Sequence, residues 1–515
     1  MRTQKENHLP DSPLRQDQII FSCALLILTL FSLWPIWANR FLPMQDYPQH
    51  LFLAHLISTY NASSFNWKEF YTVQLGFRPY MFWYLAMNFL AHVVDIETAG
   101  KLLFSLYIFL ITTLAYIARR LPPKGFLPWG ALLLYPLAFN QMYYMGMANY
   151  LMSLPVLFIA LLDLDNLTNG ITIGRVARHG FYCLILFLNH PYTALVYITL
   201  AVISAFSSRK NRNTSLQMLF PAGIMSLSIL LWYIFQHSAG TTPTSVPWTI
   251  YWWPYPWHWL LAYYILPFSG MRLFSGPDLF TCILWCIIAT LFLVAWRENK
   301  SKDVVYRKLL MLSGASLAGF FVLPFWVGYY SYFNLRMAPV SYFALALALC
   351  RVRVSCRAGI VLVLSLLLLL VVSIQMQSAV ARETETILPA LSAAQKNSLI
   401  LPLMFDTASD AIDPICFDQI HAHDADYYHL AVGGGANPTL FPNAMMPVQY
   451  KSGLLLPYPH KPLNFTWQEH GRYYDYILAR KPPPEFYASI KLDSTLVTTS
   501  GPWLLFKNKL PRKPL

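Results

Sequence analysis

The stretch Ile19–Trp37, IIFSCALLILTLFSLWPIW, is followed almost at once by Met44-Gln45-Asp46-Tyr47-Pro48-Gln49-His50. The first segment is uncharged and long enough to cross a bilayer as a helix, which takes about 20 residues. No small-residue cleavage site follows it, so it reads as a retained anchor rather than a removed signal peptide. The second segment places an acid and an imidazole where the chain leaves the membrane. A carboxylate there is costly unless it has a partner or a task.

The rest of the chain extends this pattern. Of its 515 residues, 56% are hydrophobic and 12% charged, with a mean hydropathy of +0.42. A soluble domain carries roughly 25% charged residues. Apolar runs recur between short basic or Pro-, Asn- and Gly-containing breaks, the signature of a polytopic α-helical membrane protein. Alternation over about ten residues, the mark of a membrane β-barrel, does not occur. The formal charge of +13 falls in loop clusters: Arg209, Lys210 and Arg212; Arg297, Lys300, Lys302, Arg307 and Lys308; Arg351, Arg353 and Arg357. This is the distribution of inward-facing loops. It points to anionic lipid as a partner and away from nucleic acid. The cysteines lie mostly in or beside apolar runs, and Cys416 alone falls in the polar C-terminal region, so no disulfide framework is implied.

Counting apolar runs predicts 11 to 13 transmembrane helices within residues 1–378, with a first external loop at 40–78. From 379 the composition changes, and residues 379–515 read as a small α/β domain on the outer face. Ser398–Phe405 and Tyr474–Ala479 read as strands; Ser494–Thr499 and Trp503–Lys507 flank the turn Ser500-Gly501-Pro502 and read as a hairpin. The three basic clusters all fall inside on this threading. The runs at 126–140, 147–163 and 176–207 do not settle the side on which Arg119 and Arg120 lie.

Several groups stand out chemically. Pro48 disfavours helix at Tyr47, so a new helix starts there, with Asp46 at its N-terminus and His50 on its first turn. Asp46 is a general base or a metal ligand, or else a residue that only caps the helix. Arg336, in Tyr332-Phe333-Asn334-Leu335-Arg336-Met337, suits a phosphate group, or else snorkels to lipid headgroups. The aromatic run at 247–259 includes Trp253, Trp257 and His258, with Arg272 downstream. Interfacial solvation explains most such rings; substrate lining is the alternative. His190, in Asn189-His190-Pro191, interrupts an apolar run and is a further candidate for lining a site. The loop Ile420–His429 holds three histidines and two aspartates in no recognised zinc spacing and reads as solvated.

An acid in the first external loop, a cation at a later outer loop and a C-terminal outer domain resemble the GT-C superfamily of integral membrane glycosyltransferases. The final stretch, Tyr474–Leu478 with Gly501–Asn508, is also similar to the ends of bacterial members. The resemblance implies a bacterial inner-membrane transferase with a periplasmic C-terminal domain. It would move a sugar from a polyprenyl-phosphate donor to an acceptor on the outer face. It also implies that Asp46 is the catalytic base or a metal ligand and that Arg336 holds the donor phosphate; on the residues themselves, His50 is read as assisting Asp46 and Arg272 as a second phosphate-binding cation. The family pattern often pairs two acids in the first loop; here Asp46 stands alone, with Glu69 far downstream. That favours base catalysis without a metal or other cofactor. A flippase of lipid-linked material, or a non-catalytic assembly protein, is the alternative.

Overall fold

The computed structural model describes residues 13–167, 172–207, 219–220, 223–231, 234, 249–254, 256–265, 278–298, 300–327, 331–412, 418–441 and 446–514. The chain is a polytopic α-helical membrane protein with a small sheet near its C-terminus. Among the described residues, four helices have the length and hydropathy of a membrane span: Gln16–Ala38, Ile96–Arg120, Val304–Val322 and Cys356–Ser392. Five shorter apolar helices accompany them: Met81–Leu90, Ala148–Leu164, Pro191–Ser204, Cys282–Arg297 and Met337–Leu349.

The first helix, Pro13–Ala38, packs between Ile96–Ile117 and Cys356–Glu385. Shape and one polar knot hold them. The Thr29 hydroxyl bonds back to the Leu25 carbonyl at 2.6 Å and meets Thr112 and Tyr135 at 2.8 and 2.9 Å. Hydroxyls inside a helix bundle find such partners because hydrocarbon offers none.

Helix direction settles the side on which Arg119 and Arg120 lie. Ile96–Ile117 starts beside the first loop, where the Lys101 amine donates to the Asn39 carbonyl at 2.7 Å, and runs on to Arg119 and Arg120 at its far end. Cys356–Glu385 runs the other way, from Arg357 toward the Asp46 side. The Arg353 guanidinium lies over the Phe126 ring at 5.3 Å. Arg119 and Arg120 therefore share a face with the basic loops and oppose Asp46.

Two apolar runs are broken for visible reasons. Residues 176–207 divide into Ile173–Asn189 and Pro191–Ser207, with His190 extended between them (φ −154°, ψ 122°), as the following proline requires. Residues 126–140 do not form one crossing helix. They make a 3₁₀ turn, Trp129–Leu133, and a short helix, Leu134–Ala138, both buried. Gly130 lets the chain pass against the Leu349–Cys350 backbone, where a Cβ would lie 2.5 Å from the Leu349 carbonyl carbon.

The C-terminal sheet has the spatial order Ile400–Met404, Tyr476–Arg480, Trp503–Asn508, Ser494–Ser500. The first pair is parallel and the others antiparallel, with a register shift between Leu496 and Thr498. All four strands lie where the sequence pattern put them, because each alternates or runs apolar between turn residues. The first loop is built into this C-terminal region. Tyr71–Val73 pairs antiparallel with Val448–Tyr450. Asn66 Oδ1 accepts the Gly435 N–H and Tyr71 Oη the Asn437 N–H, each at 2.7 Å.

In a cysteine-free background, Lys124→Cys and Lys302→Cys should react with an impermeant maleimide from the same side of sealed vesicles. Lys461→Cys should react from the opposite side. Labelling of Lys124→Cys together with Lys461→Cys would contradict this arrangement.

Candidate functional site

Asp46 is fixed by backbone before its side chain is considered. The Gln45 N–H donates to the Tyr144 carbonyl at 2.8 Å and the Asp46 N–H to the Met145 carbonyl at 3.2 Å. Gly146 closes this contact at φ +74°; a Cβ there would sit 2.8 Å from Tyr47 N and 2.9 Å from Asp46 N. Only glycine satisfies both the left-handed backbone and the approach. The helix Tyr47–Thr59 then begins, with Pro48 in its first turn.

Asp46 precedes that helix, yet its side chain makes no capping bond. A capping aspartate typically contributes about 1 kcal/mol, and this one does not collect it. The carboxylate is instead 14% exposed and 3.6 Å from His423 Nε2. Burial raises its pKa from 3.8 to about 7, with Arg336 and the Gln45 side chain pulling the other way. It can take up or release a proton near neutrality, as a general base must.

The imidazole beside Asp46 comes from the far end of the chain. Burial lowers the pKa of His423 to about 4, so the ring is neutral at pH 7. Its Nδ1 is 3.8 Å from Asp426 Oδ2. Asp426 accepts from the Gln49 amide at 3.1 Å and from the Asn437 amide at 2.6 Å. Burial, above all, keeps the Asp426 pKa well above the ordinary carboxylate range. Behind this layer His421 bridges two acids, with Nδ1 2.7 Å from Asp424 Oδ2 and Nε2 3.1 Å from Glu383 Oε2. Glu383 belongs to the long helix Cys356–Glu385, so the bridge ties the C-terminal loop to the membrane bundle.

Arg336 forms the other half of the site. It is 5% exposed. One terminal nitrogen donates to the Ser331 carbonyl at 2.7 Å, the other lies 3.7 Å from Met147 Sδ, and Nε has no partner. No carboxylate reaches it within ion-pair distance among the described residues, although its field acts on Asp46. An uncompensated buried charge costs several kcal/mol, so packing alone does not explain this arginine.

Around Arg336 stand Tyr150, His190 and Tyr80. The Tyr150 hydroxyl donates to the Arg336 carbonyl at 2.5 Å, and its ring lies 5.3 Å from the His190 ring. His190 Nδ1 accepts the Tyr192 N–H at 3.2 Å, which leaves the proton on Nε2. Nε2–H then donates to Tyr80 Oη at 3.1 Å. The Tyr80 hydroxyl hydrogen remains available for a ligand. Tyr80 also holds a left-handed backbone, φ 64° and ψ 10°, which is strained for a bulky residue and costs about 1–3 kcal/mol.

No protein-family model matches the chain, and neither does any curated protein. Among solved structures, the crystal structure of ArnT from Cupriavidus metallidurans bound to undecaprenyl phosphate matches over 98% of this chain and 100% of that one. The TM-score is 0.51 and the sequence identity 11%. The two chains share a fold.

Within this fold, Asp46 and Arg336 share one electrostatic environment, and His190 meets the Tyr150 ring beside Arg336. His50 lies beside this cluster: its Nδ1 is 2.6 Å from the Tyr84 hydroxyl, and its ring is tilted against Phe441 at 5.2 Å, the same ring that His423 meets at 5.7 Å. Burial takes its pKa down to about 3, so the ring is neutral at pH 7. Trp253 packs edge-on against Phe325 at 5.3 Å, and Ile250–Tyr251 pairs with Trp326–Val327 just before the Arg336 loop. Trp257 and His258 are exposed at the start of Trp257–Ile265. Arg272 lies outside the described residues.

The loop at 420–429 departs most from the sequence expectation. It is not solvated: Asp424 and Asp426 are 2% and 3% exposed and His421 is 1% exposed. His423, Asp426, His421 and Glu383 were therefore missed as members of the site. The density of histidine and aspartate was the only sequence signal, and nothing local disclosed that Tyr47–Thr59 would cover it. These residues also bring the second acid that the first loop lacks. Among the described residues, no group of three or more His, Cys, Asp or Glu side chains is arranged to hold a metal ion.

Because the folded-state pKa of Asp46 is raised, the folded protein retains a proton that the unfolded chain releases above pH 3.8. This contribution to stability is complete at low pH and is lost as pH rises to about 7. Asp46→Asn should therefore gain thermal stability relative to the unsubstituted chain between pH 5 and 8, read as a difference in Tm. An unchanged difference across that interval would show that Asp46 is not buried as described.

Proposed function

We propose that this protein is a glycosyltransferase that moves a sugar from a polyprenyl-phosphate-linked donor to an acceptor hydroxyl at the Asp46 face of the membrane. The observation that carries the reading is a buried acid with near-neutral proton affinity and no side-chain capping bond, in the field of a buried arginine whose Nε has no partner and which makes no ion pair among the described residues. The fold shared with ArnT, crystallised with undecaprenyl phosphate, supports the donor class. Basic loops on the opposite face support an outer, extracytoplasmic position for Asp46 and for residues 379–515.

In this reading the acceptor hydroxyl attacks the anomeric carbon and a new C–O bond forms. The bond between that carbon and the phosphate oxygen breaks, and its electron pair leaves on the phosphate. Asp46 takes the hydroxyl proton. His423, neutral and 3.6 Å away, orients the Asp46 carboxylate. Arg336 and the free Tyr80 hydroxyl receive the leaving phosphate, with His190 positioning Tyr80. Charge-assisted hydrogen bonds of this kind are worth about 1.5–3 kcal/mol each. Trp253 on the Arg336 side supplies a ring for the lipid or the sugar. His50 positions the helix that starts at Asp46. No metal takes part in this scheme.

Asp46→Asn should reduce transfer from labelled lipid-linked sugar by about 10²- to 10⁴-fold, the usual contribution of a general base. Wild-type rates should climb as pH rises through about 7 and be retained with EDTA. A variant with full activity would remove Asp46 from the mechanism, and loss with EDTA would replace the metal-free step.

Tyr80→Phe keeps the ring but removes one donor and the acceptor of the His190 Nε2–H. It should weaken retention of polyprenyl phosphate by roughly 10- to 100-fold, from the strength of one hydrogen bond to a charged group. Arg336→Gln should do so at least as strongly. Equal retention by both variants and the wild type would place the phosphate elsewhere.

A further inference from the structure

The face opposite Asp46 carries a second constellation. At the far ends of Ile96–Arg120, Ala148–Leu167 and Ile173–Asn189, a cavity of about 530 Å³ is lined by Arg120, Arg175 and Arg178 with Asp163. That size lies within the range of small-molecule sites. Arg178 is occupied by Asp163, its Nε 2.5 Å from Oδ2 and a terminal nitrogen 3.1 Å from Oδ1. Among the described lining residues, one acid thus faces three cations. Arg120 makes no ion pair or hydrogen bond among the described residues.

A second cavity of about 370 Å³ shares Arg120, Asp163 and Arg178 with the first and continues between the helices. Its other walls are Ile117, Leu121, Ile159, Leu162 and Tyr182. Basic side chains at the membrane edge therefore open directly into an apolar slot inside the bundle. A soluble anion has no use for the slot, and an uncharged lipid has no use for the arginines. A molecule with an anionic phosphate head and acyl chains matches both.

We infer that the cavity formed by Arg120, Arg175 and Arg178 and its apolar extension binds one anionic phospholipid, head in the basic part and acyl chain along Ile117, Leu121, Ile159 and Leu162. Basic pockets between transmembrane helices hold lipid head groups through the same combination of charge and hydrocarbon. Topology alone asks only that the arginines lie on this face; it does not ask them to surround a cavity that leads to hydrocarbon. A zwitterionic lipid is excluded from close approach because its ammonium group would meet the same three guanidinium groups. The site is separated from Asp46 by the length of a spanning helix and stands whether or not transfer occurs there.

The test is native mass spectrometry of the full-length protein in neutral detergent, titrated with phosphatidylglycerol and with phosphatidylcholine of the same acyl chains. One phosphatidylglycerol should be retained in preference to phosphatidylcholine. Arg120→Gln, which breaks no described bond, should weaken that retention by roughly fivefold, the effect of one cation near an anionic lipid surface. Arg120→Gln with Arg178→Gln should weaken it further. Equal retention of the two lipids by the wild type would overturn the inference, as would a preference that both variants keep. Displacement of the lipid by millimolar inorganic phosphate would show a phosphate site in place of a lipid site and would also overturn it.

Discussion

The structure turns on one carboxylate kept away from water. Asp46 is held by two backbone hydrogen bonds to Tyr144 and Met145 and pressed by Gly146, and the C-terminal loop closes over it through His423. Desolvation then does what no single contact does: it raises the proton affinity of the acid to the neutral range. The same burial keeps His423 and His50 neutral, and Arg336 acts on Asp46 as a nearby positive charge. An acid that is nearly neutral and an arginine that is always charged, in one enclosed place, form a site with a defined sense of charge flow.

The architecture serves that enclosure. Helices of membrane length carry the first loop, and the long helix Cys356–Glu385 delivers Glu383 to the same face, where His421 locks it to the C-terminal loop. The C-terminal sheet is the base from which that loop projects. First loop and C-terminal region are therefore interdependent: strand pairing at Tyr71–Val73, the Asn66 bonds and the Gln49–Asp426 bond all join them. The site exists only when residues nearly 400 positions apart are packed together (Gln49 and Asp426 are 377 apart).

The two faces of the protein separate two kinds of chemistry. On the Asp46 face, the acids Asp424 and Asp426 and the cation Arg336 are buried. On the opposite face Arg120, Arg175 and Arg178 line one cavity, and Arg120 makes no ion pair or hydrogen bond among the described residues. Interruption of the bundle at His190-Pro191 has a different result from a simple kink: it places an extended histidine beside Tyr80 and Tyr150 and fixes its tautomer through the Tyr192 N–H. The strained backbone of Tyr80 sits at that same point, where neighbouring packing holds it in place.

The sequence by itself determined the class of fold and the four C-terminal strands, and it singled out Asp46 and Arg336 as candidates. Each of these rests on local physics: apolar runs must leave water, alternation and turn residues define strands, and an isolated charge at a membrane edge needs a reason. Only the tertiary structure decided which imidazole stands next to Asp46, that His50 faces Tyr84, that the loop at 420–429 is buried, and that 126–140 folds inside the bundle as short turns. Those outcomes depend on which distant segment covers a given polar group. A chain records its own hydrophobicity residue by residue, but burial of a charged side chain is a property of whatever packs against it.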